Sequence, residues 1–343
     1  MPGLSGKVAR AGVVALTIAV CVSLLAFGAL AGGAKKQREM PRGPYPSLGK
    51  CSVFPKAKVK PGAPSLPNES AWRQDISQAP VHPNSDGYLS YIAENGGDEL
   101  IPYFGSERRQ GFPYAVVGKR QKRFRVNWVG HDVWRGPKAP IPAGALIELA
   151  QDDDGDRHVI TVDRSRCKLF ELYRGFFKTD GGRPHWESEG GKVWDLRRRA
   201  PDPGGQGSAD AAGLPMFAGL VRFDEVQRGV IRHAFRVSLT GTQKAHVLPA
   251  LHCASEITDR NAPPMGLRLR LKGGYDISGF GGQARVIAVA LKHYGLMVAD
   301  NGENWFFSGT SDQRWNNEDL GQLTQIPGSA FEVVQSAAPA QPC

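Results

Sequence analysis

The chain has 343 residues, enough for one large domain or two modest ones. Its formal charge is +10, and its 42 glycines and 25 prolines favour turns over long helices. No nucleic-acid motif accompanies the basic balance, so nucleic acid is a poor partner.

The chain opens on an export signal. Lys7 and Arg10 form a short basic region, and residues 11–31 carry no charge. Ala29-Leu30-Ala31 offers a small-x-small cleavage site before Gly32. The apolar run is long enough nearly to span a bilayer, so an uncleaved membrane anchor is the rival reading. Lys35, Lys36 and Arg38 beyond it balance the charges before it and leave orientation open. Either way the working part lies outside the cytoplasm. Cys21 follows Val20, where a lipid-anchor site wants a small residue.

Residues 32–70 are rich in Pro, Gly and Lys and read as a basic linker. Such a tether is attracted to anionic lipid or wall polymer. A single folded domain is then expected over residues 71–335, followed by a tail over 336–343. Residues 85–96 read as a short helix capped by Ser85. Strands follow over residues 114–117, 124–129, 145–149, 157–163, 167–173, 230–239, 245–251 and 267–271. Residues 283–294 make the best helix, with Val286, Ile287, Ala290, Leu291 and Tyr294 as one stripe and Gly295 as its stop. Residues 296–299 and 305–308 flank Asp300-Asn301-Gly302-Glu303 and read as a hairpin. The pattern is mainly β (α+β), a β-sandwich-like domain with a few packed helices.

Cys51, Cys167, Cys253 and Cys343 remain beyond the signal. An even number in an exported chain points to disulfides, with three pairings open.

No strong enzyme signature is present: there is no HExxH, P-loop, GxSxG or Cys/His zinc spacing. The candidate chemistry is a scatter of polar residues. Asp156 and His158 enter a strand. If that strand turns at Arg164–Arg166, Val159 faces Glu171 and His158 points to the apolar side, where a hydrogen-bonded core role is the commoner one. His233 shares a face with Ile231, Phe235 and Val237, while Arg232 and Arg236 take the other. His246 and His252 share a face six residues apart. Imidazoles converging in a cleft could move protons near neutral pH. Asp195, Asp210, Asp224, Glu225 and Asp300 are the carboxylates to consider, since a glycosidase needs two that straddle the bond. Trp194, Trp305 and Trp315 could stack on sugars or fill the core. Asp152-Asp153-Asp154-Gly155-Asp156 could hold calcium through oxygen, though it lacks the loop length and distal Glu of an EF-hand. No other cofactor is suggested.

The chain resembles a family of secreted, largely uncharacterised bacterial proteins. The resemblance covers roughly residues 51–334. It rests on Cys51-Ser52-Val53-Phe54-Pro55, Gly155-Asp156-Arg157-His158, Ser208-Ala209-Asp210-Ala211-Ala212-Gly213-Leu214-Pro215, Pro263-Pro264-Met265-Gly266 and Asp276-Ile277-Ser278-Gly279-Phe280. It implies pairing of Cys51 with Cys167, which leaves Cys253 for Cys343, and it is silent on activity. The usual company of such proteins is wall- or polysaccharide-directed. The expectation is therefore a carbohydrate-active domain, with Asp195 and Asp210 as acid and base and Asp156, His158, His233 and His252 lining the cleft. A non-catalytic surface-tethered binding module and a structural envelope protein are the alternatives.

Overall fold

In chain order the first strands are β1 (Ile101–Tyr103), β2 (Tyr114–Val117), β3 (Arg125–Trp128), β4 (Val159–Asp163) and β5 (Lys168–Tyr173). Next come β6 (Phe176–Lys178), β7 (His185–Ser188), β8 (Gly190–Asp195), β9 (Phe235–Leu239), β10 (Gln243–His246) and β11 (Pro264–Met265). The last are β12 (Arg268–Leu271), β13 (Leu296–Asn301), β14 (Phe306–Ser308), β15 (Phe331–Val333) and β16 (Gln341–Pro342). The helices are α1 (Ser85–Glu94), α2 (Met216–Gly219), α3 (Phe223–Gln227), α4 (Gly282–His293) and α5 (Asn317–Gly321). This computed structural model describes residues 43–54, 70–107, 110–130, 138–149, 155–179, 182–198, 207–335 and 339–343. The apolar run at 11–31 and Asp152–Asp154 lie outside them.

The fold is mainly β with a few helices, as its turn-rich sequence requires. A six-stranded sheet runs β1-β14-β9-β13-β12-β15. A four-stranded sheet runs β2-β4-β5-β8, and three-stranded sheets run β3-β7-β6 and β11-β10-β16. The four-stranded sheet is apolar on both faces, because alternate residues point opposite ways. Ile160, Val162, Leu169 and Trp194 join the large core. Val159, Phe170 and Leu172 pack instead against Phe124, Val126 and Trp186, beside the β3-β7-β6 sheet. That pairing of layers is the sandwich. In α4 the residues Ala284, Ile287, Ala288 and Leu291 are fully buried, and Gly295 (φ 64°) ends the turn after it.

Several expectations change. Residues 296–308 do not form a hairpin: β9 lies between β13 and β14, parallel to the first and antiparallel to the second. Residues 145–149 form no strand, and residues beyond His246 leave β10 and turn through a cis Leu248–Pro249 bond. The β4–β5 register is one residue off the expected one: Asp163 faces Lys168 and Val159 faces Leu172. The cause is local. Asp163 Oδ1 accepts from Ser165 N at 2.9 Å and Arg166 N at 3.3 Å, and Cys167 takes a left-handed φ of 52°, which draws it into the turn. Ser85 does not cap its helix; its hydroxyl accepts from Val333 N at 3.0 Å.

The expected linker is folded in part. Phe54 is fully buried, and its N–H donates to Leu196 O at 3.0 Å. Burying such a ring stabilises the domain by roughly 2–3 kcal/mol. Tyr45 stacks on Tyr114 at 3.8 Å and donates to Ser311 O at 2.6 Å. Part of the expected tail is also structured, since β16 pairs with β10. Two disulfides, Cys51–Cys167 and Cys253–Cys343, fasten these end segments. They place the folded chain in an oxidising environment outside the cytoplasm. Among the described residues, no helix is long and apolar enough to cross a membrane.

Candidate functional site

The site is built where loops enter the four-stranded sheet. Leu149, Arg157 and Arg174 all adopt left-handed φ angles, 44°, 48° and 49°. They are neighbours. Glu148 N donates to His158 O at 3.0 Å, Arg174 N to Asp156 O at 2.8 Å, and Gly175 N to Arg157 O at 3.2 Å. A side chain in that region costs about 1–2 kcal/mol, so three together are held by their surroundings.

This backbone aims His158 and Glu148 inward. His158 Nδ1 contacts Glu148 Oε2 at 2.5 Å, and Nε2 contacts Ala209 O at 2.9 Å. Both partners are acceptors, so both ring nitrogens donate and the ring is an imidazolium. Burial opposes that charge, but Glu148 outweighs it and the His158 pKa lies above its ordinary value. His158 therefore clamps the 148 loop to Ala209 and has no nitrogen left to accept a proton.

Ala209 leads into a turn closed by its neighbour. Asp210 Oδ2 accepts from Ala212 N at 3.1 Å and Leu214 N at 3.0 Å. Its Oδ1 accepts from Arg236 Nη2 at 2.7 Å. Arg236 on β9 also donates to Asp300 Oδ2 on β13 at 3.2 Å and to Ser308 Oγ on β14 at 3.1 Å. Burial works against the guanidinium charge, yet Asp210 and Asp300 hold its pKa above the ordinary arginine value. The position of β9 between β13 and β14 is what brings these three donors and acceptors together. Phe112 covers the network, with its ring 5.7 Å from His158 and 5.5 Å from the Arg236 guanidinium.

Glu171 on β5 lies beneath, 1% exposed. Its carboxyl accepts from Trp194 Nε1 at 2.8 Å, Phe217 N at 2.9 Å and Met216 N at 3.3 Å. Burial pushes it up to about 7 despite these donors.

The solvent side of this seam is formed by Tyr103, Asp156, Tyr173 and Asp300. Asp156 is exposed, and the other three are half-buried. Burial raises the Tyr173 phenol first, and Asp156 and Asp300 add to it. Tyr103 is raised by burial and then by Glu148 and Asp156. Tyr173 also stands 5.6 Å from the His158 ring. The rim thus combines two phenols with two carboxylates over a charged, sealed floor.

The structure gathers Asp156, His158 and Asp210 at this seam and places other expected residues elsewhere. Asp195 is not beside Asp210. It pairs with Lys168 across the far end of the β5–β8 ladder, whose near end is Tyr173 facing Gly190. Five residues of strand separate those ends by roughly 17 Å. Arg197 and Lys168 bind its carboxyl at 2.9 Å and 3.0 Å and hold its pKa below the ordinary range. Asp210 itself has no exposed side chain. The expected Asp195–Asp210 acid–base pair is therefore not assembled.

His233 precedes β9 rather than sitting within it, in a separate buried group. Its Nδ1 donates to Ala234 O at 2.8 Å, and its Nε2 lies 3.0 Å from both Arg222 Nη2 and Glu225 Oε2. Burial lowers its pKa, which fits a neutral ring, and Glu225 carries the ion pair with Arg222 at 2.7 Å. His252 is half-buried and lies over Gly213, where a Cβ would meet its ring at 3.0 Å. It borders the Asp210 turn from outside. Trp194, Trp305 and Trp315 are 1%, 1% and 4% exposed, so they fill the core and cannot stack on a sugar. The calcium expectation rests mainly on Asp152–Asp154, outside the described residues.

Glu148, Glu171, Tyr173 and Arg236 escaped the sequence reading as site residues. Glu171 carried a signal, a charge in the middle of the apolar run Leu169–Tyr173. Arg236 carried none, because the face opposite Phe235 and Val237 reads as solvent. No protein family, curated protein or solved structure matches the chain.

Proposed function

We propose that this is an exported carbohydrate-active domain that engages a wall or environmental polysaccharide at the rim formed by Tyr103, Asp156, Tyr173 and Asp300. The observation that carries the reading is the placement of two accessible phenols and two accessible carboxylates over loops held in left-handed conformations. Strained backbone of this kind clusters at working sites. Phenol rings present apolar faces to sugars, and carboxylates accept from their hydroxyl groups. In the hydrolytic form of the proposal, Asp156 and Asp300 replace Asp195 and Asp210 as the pair flanking the bond. A non-catalytic binding module is the second reading. It is favoured by the sealing of Asp210 and by the full engagement of both His158 nitrogens.

The test uses the purified protein with its disulfides formed. Reducing-end release and retention are measured across bacterial wall and plant polysaccharides. Release that disappears in Asp156→Asn and Asp300→Asn supports hydrolysis. Retention without release, lost in Tyr173→Ala, supports the binding module. Absence of both on every polymer sinks the proposal and favours a structural envelope role.

A further inference from the structure

A second cluster, independent of the rim, lies where β16 meets β10. His246 Nδ1 is 3.8 Å from Cys253 Sγ and 3.5 Å from Cys343 Sγ. All three atoms lie within 4.8 Å of one another. Tetrahedral zinc holds sulfur at about 2.3 Å and nitrogen at about 2.0 Å, which sets N···S edges of roughly 3.5 Å. The imidazole nitrogen already stands at that spacing from both sulfurs. Only the sulfur–sulfur bond prevents the three from acting as a ligand set.

We propose that His246, Cys253 and Cys343 form a site for a zinc-like d10 cation once the Cys253–Cys343 disulfide is reduced. Three further observations support it. The two disulfides differ in access: Cys51 is 6% exposed and Cys167 half-buried, whereas Cys253 is half-buried and Cys343 is exposed. Exchange requires access to a sulfur, so the second bond is reduced first. The backbone also holds the residues in place without the bond. Ala245 pairs with Pro342 and His246 with Gln341, and Cys343 N donates to Lys244 O at 3.4 Å. On the other side, Leu251 N and His252 N both donate to Ala212 O, at 3.0 and 3.3 Å, just before Cys253. Thiolate and imidazole are the donors that zinc prefers.

The step balances with a dithiol reductant. One of its thiolates attacks the exposed Cys343 sulfur and Cys253 leaves as a thiolate. The second reductant thiol then closes a disulfide within the reductant and frees Cys343. Two electrons and two protons pass to the two cysteines. On binding the cation, both thiols lose their protons to water, and the two thiolates neutralise its double charge. Three protein ligands leave the fourth tetrahedral position to water or another ligand.

The test loads the full chain with cobalt(II), a coloured substitute for zinc, before and after mild reduction. The expected result is a thiolate-to-cobalt charge-transfer band with tetrahedral ligand-field bands, present only after reduction. The bands are lost in Cys253→Ser and Cys343→Ser and weakened in His246→Gln. Alkylation mapping gives a second measurement that does not depend on variants folding: zinc protects Cys253 and Cys343 of the reduced protein. No thiolate band after reduction, a band that survives in Cys253→Ser, or protection of Cys51 and Cys167 instead would overturn the proposal. None of these outcomes bears on polysaccharide release at the rim, so the two proposals fail separately.

Discussion

The buried carboxyl of Glu171 makes stability depend on pH in a direction opposite to that of ordinary surface acids. Its pKa is about 7 in the folded chain, against 4.5 for the free side chain. The folded state therefore binds this proton more tightly than the unfolded state. The contribution is fully present below 4.5 and is lost as pH rises through about 7. The shift corresponds to about 3 kcal/mol, of which about 2–3 kcal/mol falls between roughly pH 5 and pH 8. Glu171→Gln keeps the shape, has no proton to lose, and offers one acceptor where the carboxyl offers two, to Phe217 N on one oxygen and to Trp194 Nε1 and Met216 N on the other. Its fixed cost is the same at every pH. His158, raised by Glu148, also loses stability as pH rises, but it does so in both proteins and cancels in the comparison. Urea unfolding of both proteins across this range should show wild type losing about 2–3 kcal/mol relative to the variant. A stability gap that stays constant from acid to alkaline conditions would refute the reasoning. It would mean that the three donors keep Glu171 ionised throughout.

Two further perturbations test the frame around the seam. Arg236→Met leaves Asp210 buried without its cation and should cost about 3–5 kcal/mol in urea unfolding. Adding Asp210→Asn should return part of that loss; a double variant as unstable as the sum of the singles would argue against the pair. Replacing Cys51 and Cys167 by alanine opens a link across 116 residues and should cost about 4 kcal/mol, read as a lower urea midpoint. An unchanged midpoint would mean that the buried Phe54 alone holds the 43–54 segment.

Local pattern carried much of the fold. The apolar run of β4, the stripe on α4 and the Gly295 stop were legible because each depends on neighbours in sequence. The 296–308 segment misled for the opposite reason. Asn301-Gly302 has hairpin chemistry, but the partner of both flanking strands is β9, far upstream, and nothing local announces it. The β4–β5 register depended on the Asp163 hydrogen bonds and the left-handed Cys167, which add a residue to the turn. The site was legible in fragments. Asp156, His158 and Asp210 were singled out individually, and their meeting place was not. Arg236 sits on the strand face that alternation assigns to water, but that face looks onto Asp210 rather than solvent. Alternation tells which residues share a side and not what covers it.

The placement of β9 between β13 and β14 also sets when this chain can close. Residues 235–239 leave unpaired backbone N–H and C=O groups on both sides until residues 296–308 are available to pair with them. β1 is in the same position, since its partner β14 lies near the other end of the chain. Pairing across such distances is slow, because the intervening chain must be gathered before any contact repays the cost. A half-synthesised chain therefore has no completed central sheet. Once residues 235–239 have been made, β9 is an open strand that needs shielding until residues 296–308 arrive.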